Sequence, residues 1–263
     1  MFGRSKIKHS ETIPEFRLVC LAMLVAAAVF LHVQQADAAS ILQFRVISAV
    51  PMDNKLIALT FDDGPHPIYT RQILDALDAY GAKATFFMVG EEMEKNPEVV
   101  KDVLRRGHVI ANHTYSHPRD LRQLPEKDAL ADIEKCGRTI EKMTGARPTL
   151  FRPPLGRINN AILNNAEKNG YKVVLWTVSA DHHEAMTPEL MANRALKKSR
   201  PGAIVLIHDG FSSIRWKDVA ATSLILEDLS KKGYHFVTIP ELLKHKRENE
   251  IYNHFMTLFY IFS

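Results

Sequence analysis

Four short stretches of the chain combine residue types capable of acid–base or metal chemistry. Thr60-Phe61-Asp62-Asp63-Gly64-Pro65 puts two adjacent carboxylates at the end of an apolar run, followed by a Gly-Pro turn. Neighbouring residues of a strand point to opposite faces, so a bend at Gly64 is required to bring both to one site. One carboxylate can then bind a metal while the other stays free as a base. His113-Thr114-Tyr115-Ser116-His117 spaces two imidazoles at i, i+4, which on a helical turn lie on one side. Two His and one Asp leave coordination positions open, as a hydrolytic zinc site requires. Arg152-Pro153-Pro154-Leu155-Gly156 holds a guanidinium before a proline-stiffened turn, where it can pin a carboxylate and keep it ionised. Leu206-Ile207-His208-Asp209-Gly210 ends an apolar strand with a histidine, a group able to protonate a leaving group at neutral pH. Taken singly, each stretch has a plainer explanation: an Asp-rich turn, capping histidines, a surface Arg, a satisfied core His. Their order and shared placement carry the argument.

The elements that must position these residues follow a repeating pattern. The strand candidates are 56–61, 84–89, 108–112, 149–152, 172–178, 203–208 and 235–239. They are short, β-branched or aromatic, and apolar on both faces, which suits parallel strands covered on both sides. Helix candidates alternate with them: Pro67 to Tyr80, Pro97 to Arg106 with Asn96 as N-cap, Pro125 to Met143, Asn159 to Asn169, Pro188 to Lys198, Lys217 to Lys232, and Pro240 to Glu248. Alternating β and α implies a parallel sheet. Five of the seven strand ends carry polar or ionisable groups at the C-terminal edge. A barrel collects these at one mouth, whereas an open sheet spreads them along roughly 25 Å at about 4.8 Å per strand. The expected fold is therefore α/β, a distorted seven-stranded (β/α) barrel resembling a TIM barrel. One domain is expected over residues 45–250.

Composition narrows the class. The chain has 263 residues, 46% hydrophobic and 24% charged, with 34 Lys and Arg against 30 Asp and Glu. These values exclude a long disordered chain. No basic stripe of the kind that binds nucleic acid is visible in the sequence; a mildly basic surface instead favours an acidic polymer such as a cell-wall glycan. Arg4, Lys6, Lys8 and Arg17 precede a 14-residue apolar run, Leu18 to Leu31, and Ala36-Asp37-Ala38 follows. Residues 1–38 therefore read as a secretory signal cut after Ala38, with an uncleaved membrane anchor as the alternative. A secreted or envelope location follows. Cys20 lies in that segment, so Cys136 is left alone and reads as a structural thiol. The apolar tail 251–263 is too short to span a bilayer. A monomer is expected.

The four motifs, in this order, resemble the NodB-homology polysaccharide deacetylases, carbohydrate esterase family four, over roughly residues 55–240. The resemblance implies that Asp62 is the general base and that Asp63, His113 and His117 are metal ligands. Arg152 would orient Asp62, and His208 would be the general acid. Leu206 would line the acetate-methyl pocket, the Leu155 N–H would face the oxyanion, and Trp176 would line the substrate pocket. The cofactor implied is a divalent metal, Zn²⁺ first, with Co²⁺, Mn²⁺ or Fe²⁺ as alternatives. The substrate implied is an acetylated polysaccharide: peptidoglycan, chitin oligomer or exopolysaccharide. The stretch after Trp176 departs from the family pattern. Ser179 stands where the first aspartate is usual, and Asp181, falling one residue early, is the candidate support for His208. Two other readings stay open on sequence: an O-acetyl glycan esterase, and a catalytically impaired glycan-binding barrel.

Overall fold

The computed structural model describes residues 45–181 and 187–246. The segment 1–38, the His182-His183 pair and the tail 251–263 lie outside the described residues. Among the described residues, nine parallel strands form one sheet, in the order β1-β6-β5-β4-β3-β2-β8-β7, with β9 pairing β2. The strands are β1 (Val46–Ile47), β2 (Leu56–Asp62), β3 (Thr85–Met88), β4 (Val109–Asn112), β5 (Leu150–Phe151), β6 (Lys172–Val174), β7 (Val178–Ser179), β8 (Ile204–His208) and β9 (His235–Phe236). The helices are α1 (Tyr69–Ala79), α2 (Gly90–Lys95), α3 (Pro97–Arg105), α4 (Glu126–Thr144), α5 (Asn160–Lys168), α6 (Pro188–Lys198) and α7 (Trp216–Lys231), followed by α8 over 239–246. This is the expected α/β barrel, in distorted form.

Besides β1, a two-residue strand ahead of the first expected run, two details differ from the sequence expectation. The run 172–178 is not one strand. It breaks at Leu175–Thr177, so that β6 stands near one end of the ladder and β7 at the other. The break closes the barrel. Leu175 N–H donates to Ile47 O at 2.8 Å, and Thr177 N–H donates to Ile204 O at 2.8 Å. The Thr177 hydroxyl donates to Ser48 O and accepts from Ile204 N–H. An antiparallel bridge between Ala49 and Ala203 completes the seam. A Cβ on Gly202 would lie 1.7 Å from Val50 O, and its φ is +76°, so only glycine fits there. The second difference is helix α2, which the sequence reading missed. Asn96 was expected to cap α3 with its side chain. Its amide instead donates to Pro65 O and Glu92 O, tying the end of α2 to the loop after β2.

Alternation along the strands builds two layers. Ile57, Leu59 and Phe61 of β2, Phe86 and Met88 of β3, and Val205 and Ile207 of β8 face the helices and join the largest core. Ala58, Phe87, Ala111, Val174 and Ile204 fill the barrel interior with Val237, Ile239 and Leu242. A third cluster packs Phe151 and Val173 against α4 and α5. Phe87 is fully buried and lies under the Arg152 guanidinium, 4.0 Å from ring centroid to the guanidinium carbon. Phe87→Ala removes that floor. It should cost about 3–5 kcal/mol of unfolding free energy, read from the urea midpoint at constant slope. A loss below about 1 kcal/mol would show that the ring does not support the interior.

Candidate active site

The parallel pairing of β2 with β8 sets the site. Asp62 lies in register with His208, and Thr60 with Leu206, so the base candidate and the acid candidate occupy the same interior face of adjacent strands. Asp63 would point outward if β2 continued. Its φ of +75° turns the chain instead. The bend expected at Gly64 thus lies one residue earlier, at Asp63 itself. Gly210 makes the turn tight, since a Cβ there would fall 1.9 Å from Asp63 O. Thr114, His117, Leu155 and Phe211 also adopt positive φ, and with Asp63 they are the non-glycine residues that do so among those described. Each such conformation costs of order 1–3 kcal/mol, and clustering of this kind marks a functional site.

Asp63 Oδ1 lies 3.4 Å from His113 Nε2 and 3.2 Å from His117 Nε2. Donors bonded to one tetrahedral ion at about 2.0–2.1 Å stand about 3.3 Å apart, so the set fits a metal. The tautomer of His113 fits as well. Its Nδ1 lies 2.7 Å from Arg152 O; a carbonyl only accepts, so Nδ1 carries the proton and Nε2 keeps its lone pair for an ion. The helical turn expected over 113–117 is absent. Those residues form an irregular loop. The Asn112 side chain accepts from Thr114 N–H, and Asp132 accepts from Tyr115 N–H and the Ser116 hydroxyl. The two imidazoles still converge, with ring centroids 5.1 Å apart, and Phe211 packs on His117 at 4.9 Å.

Arg152 is fully buried. Its Nη1 donates to Asp62 Oδ1 at 2.7 Å and Thr60 Oγ1 at 2.9 Å, Nε to Val174 O, and Nη2 to Leu175 O. Burial pulls its pKa down and Asp62 opposes that. Asp62 Oδ2 stands 3.8 Å from His113 Nε2, beside the ligand set. Burial pushes the Asp63 carboxyl up, but its contacts with the His113 and His117 imidazoles and the charge of His208 outweigh it, and its pKa falls far below the carboxylate range. His208 Nδ1 meets Asp181 Oδ2 at 2.7 Å. Burial pushes His208 down, yet the bond to Asp181 and the charges of Asp63 and Asp62 overcome this and hold it at about 9. These contacts favour the protonated imidazole.

Several residues in the site went unassigned on sequence. Arg215 contacts Asp181 at 3.1 Å, Asp218 at 3.4 Å and Asp63 at 3.7 Å, and donates to Gly210 O. It supplies the positive charge between Asp181 and Asp218, so their cluster with His208 needs no ion despite its donor set. Asp209 is buried beside His208. It accepts from the Thr70 hydroxyl, and burial raises its pKa to about 7. It sits in the quoted His208 motif, where a signal existed. Arg215 stands in a loop with no local pattern around it. Cys136 is buried and burial pushes its thiol up, in keeping with a structural role.

A cavity of about 870 Å³ is lined by Asp63, Leu155, Trp176, Asp181, Leu206 and His208, among others. The Leu155 N–H has no hydrogen-bond partner among the described residues.

Residues 49–174 match the polysaccharide deacetylase family. A peptidoglycan-N-acetylglucosamine deacetylase of Bacillus cereus is 45% identical over 199 residues, 75% of this chain and 92% of that protein. A chitooligosaccharide deacetylase of a Bradyrhizobium species is 31% identical over 197 residues, 71% of this chain and 90% of that protein. The solved structure of a peptidoglycan deacetylase from Bacillus subtilis aligns with a TM-score of 0.70 at 36% identity, covering 76% of this chain and 96% of that one. This chain belongs to the polysaccharide deacetylase family.

In this polysaccharide deacetylase, the altered stretch after Trp176 bears directly on His208. Ser179 donates to the Asp181 carboxylate at 3.1 Å and to the Asp181 carbonyl. It thereby fixes the carboxylate that faces His208. Asp181→Asn removes the charge that raises the imidazole, so His208 should lose its proton at lower pH. The alkaline limb of kcat/KM should move down, with rate lost more at about pH 8.5 than at about pH 6. An unchanged limb would show that Asp181 does not set the His208 proton.

Proposed function

We propose that the chain is a metal-dependent hydrolase that removes N-acetyl groups from N-acetylglucosamine residues of peptidoglycan, releasing acetate. The observation that carries this reading is the convergence of a base candidate held by Arg152, a ligand set at tetrahedral spacing, and His208 on the neighbouring strand in contact with Asp181. The intact set argues against an impaired glycan-binding barrel. The relatives named peptidoglycan deacetylases support the choice of polymer.

A divalent ion held by Asp63, His113 and His117 would polarise the acetamide carbonyl and acidify a bound water. Two imidazoles and one carboxylate with an open position suit Zn²⁺, and Co²⁺, Mn²⁺ or Fe²⁺ can occupy the same donors. Asp62 takes the proton of the attacking water, with Arg152 keeping it anionic and aimed. The Leu155 N–H donates to the oxyanion as the carbonyl carbon becomes tetrahedral. Leu206 and Trp176 enclose the acetyl methyl and the sugar. His208 protonates the departing amine, and Asp181 stabilises the imidazolium before that transfer.

The catalytic domain in this reading spans residues 45–250 and acts as a monomer. Residues 1–38 carry it to the extracellular face of the envelope, as a cleaved signal or a retained anchor. The apolar run in the sequence and the cell-wall polymer named for the relatives support that location.

Acetate release from peptidoglycan tests the reading. The Zn²⁺-loaded full chain should release acetate, lose at least about 100-fold of its rate on chelation, and recover when Zn²⁺ is restored. Release indifferent to chelation, or none with Zn²⁺ bound, would overturn it.

A further inference from the structure

We propose that the cavity carries a second subsite, for carboxylate groups on the glycan that flank the acetylated sugar, formed by Arg194, Lys197, Lys198 and Lys217. The inference rests on the deacetylase reading above and specifies its substrate as an acidic rather than a neutral glycan. All four residues line the cavity that Asp63 and His208 line. Arg194, Lys197 and Lys198 stand at i, i+3 and i+4 on α6 and so share one face of that helix. Lys217, in the first turn of α7, lines the same cavity.

The remaining charges of the wall are already matched. Asp63 is engaged by His113 and His117, Asp181 by His208 and Arg215, and Asp218 by Arg215. Arg157, also in the lining, pairs with Asp120. Arg194, Lys197, Lys198 and Lys217 have no acidic partner within ion-pair distance among the described residues. Among the described residues, the free charge on this wall is therefore entirely positive.

Local helix energetics do not account for the set. A cation in the last turn of a helix is favoured by the helix dipole, which accommodates Lys197 and Lys198. Arg194 lies a turn earlier and repels both at close spacing. Lys217 occupies the first turn of α7, where the dipole disfavours a cation. These like charges persist against local preference beside a cavity that admits a ligand, and carboxylate is the chemistry that four unpaired cations take up. In a glycan of alternating N-acetylglucosamine and a lactyl-substituted sugar, that carboxylate comes either from the lactyl group or from attached peptide.

The test compares the wild type with a variant carrying Arg194→Gln, Lys197→Gln, Lys198→Gln and Lys217→Gln. Three glycans of equal length are used: one lactyl-substituted and free of peptide, one bearing peptide stems, and a neutral chitooligosaccharide. KM for the acidic glycans should rise about tenfold in the variant, while kcat, and KM for the neutral glycan, stay within about twofold. Raising salt should increase the wild-type KM on the acidic glycans alone. The arm with the larger change identifies which carboxylate is held. An equal change on acidic and neutral glycans, or none on either, overturns the subsite. If wild type releases acetate from none of them, the deacetylase reading fails separately. Calorimetric binding of the acidic glycan then decides: weaker binding by the variant upholds the subsite, and equal binding overturns it.

Discussion

A guanidinium with no exposed surface sits in the barrel interior, and the site is arranged around it. Moving an ion of this kind out of water costs several kcal/mol even after relaxation. The cost is met only if each donor finds an acceptor and the charge finds a counter-charge. Asp62 supplies the counter-charge, and Thr60, Val174 and Leu175 supply acceptors. Lysine cannot substitute, because a point charge lacks the planar fork that reaches four acceptors at once. The same residue binds through its backbone as well: its carbonyl takes the His113 Nδ1 proton. One residue thus aims the carboxylate proposed as base and fixes the tautomer of a proposed metal ligand.

The need to satisfy Arg152 reaches into the fold. Two of its acceptors, Val174 O and Leu175 O, lie where the run 172–178 leaves the ladder. A strand continuing through Leu175 would commit those carbonyls to a neighbouring strand. The break frees them and carries the chain across the seam, where Thr177 binds both Ser48 and Ile204. Across the mouth, a second network holds the opposite kind of group. Asp181, Arg215 and Asp218 surround His208, and Arg215 reaches toward Asp63. The result is a carboxylate held by a guanidinium on one strand and an imidazole held by a carboxylate on the next, in register.

Much of this was legible in the sequence because it is local. An Asp pair, a His and an Arg at the C-terminal ends of apolar runs announce themselves by position, and β/α alternation sets the barrel around them. What was not legible depends on distant partners. The run 172–178 is uniformly β-prone, and only Arg152 and Ser48 reveal why it breaks. The i, i+4 histidines suggested a helical turn; Asn112 and Asp132 hold a loop instead. Arg215 carries no motif. Asp181 stands one residue off the family spacing, and only the fold brings it to His208. The cations at 194, 197, 198 and 217 come from two helices that the fold brings to one wall.

The central claim is a division of labour between adjacent carboxylates, Asp62 for the proton and Asp63 for the ion. Zn²⁺ titration and acetate release, measured together on Asp62→Asn and Asp63→Asn, test it directly. The account predicts that Asp62→Asn binds Zn²⁺ as the wild type does yet loses at least about 100-fold in rate, whereas Asp63→Asn loses most of its affinity for the ion. An Asp62→Asn protein that keeps its rate, or that loses the ion as Asp63→Asn does, would contradict it.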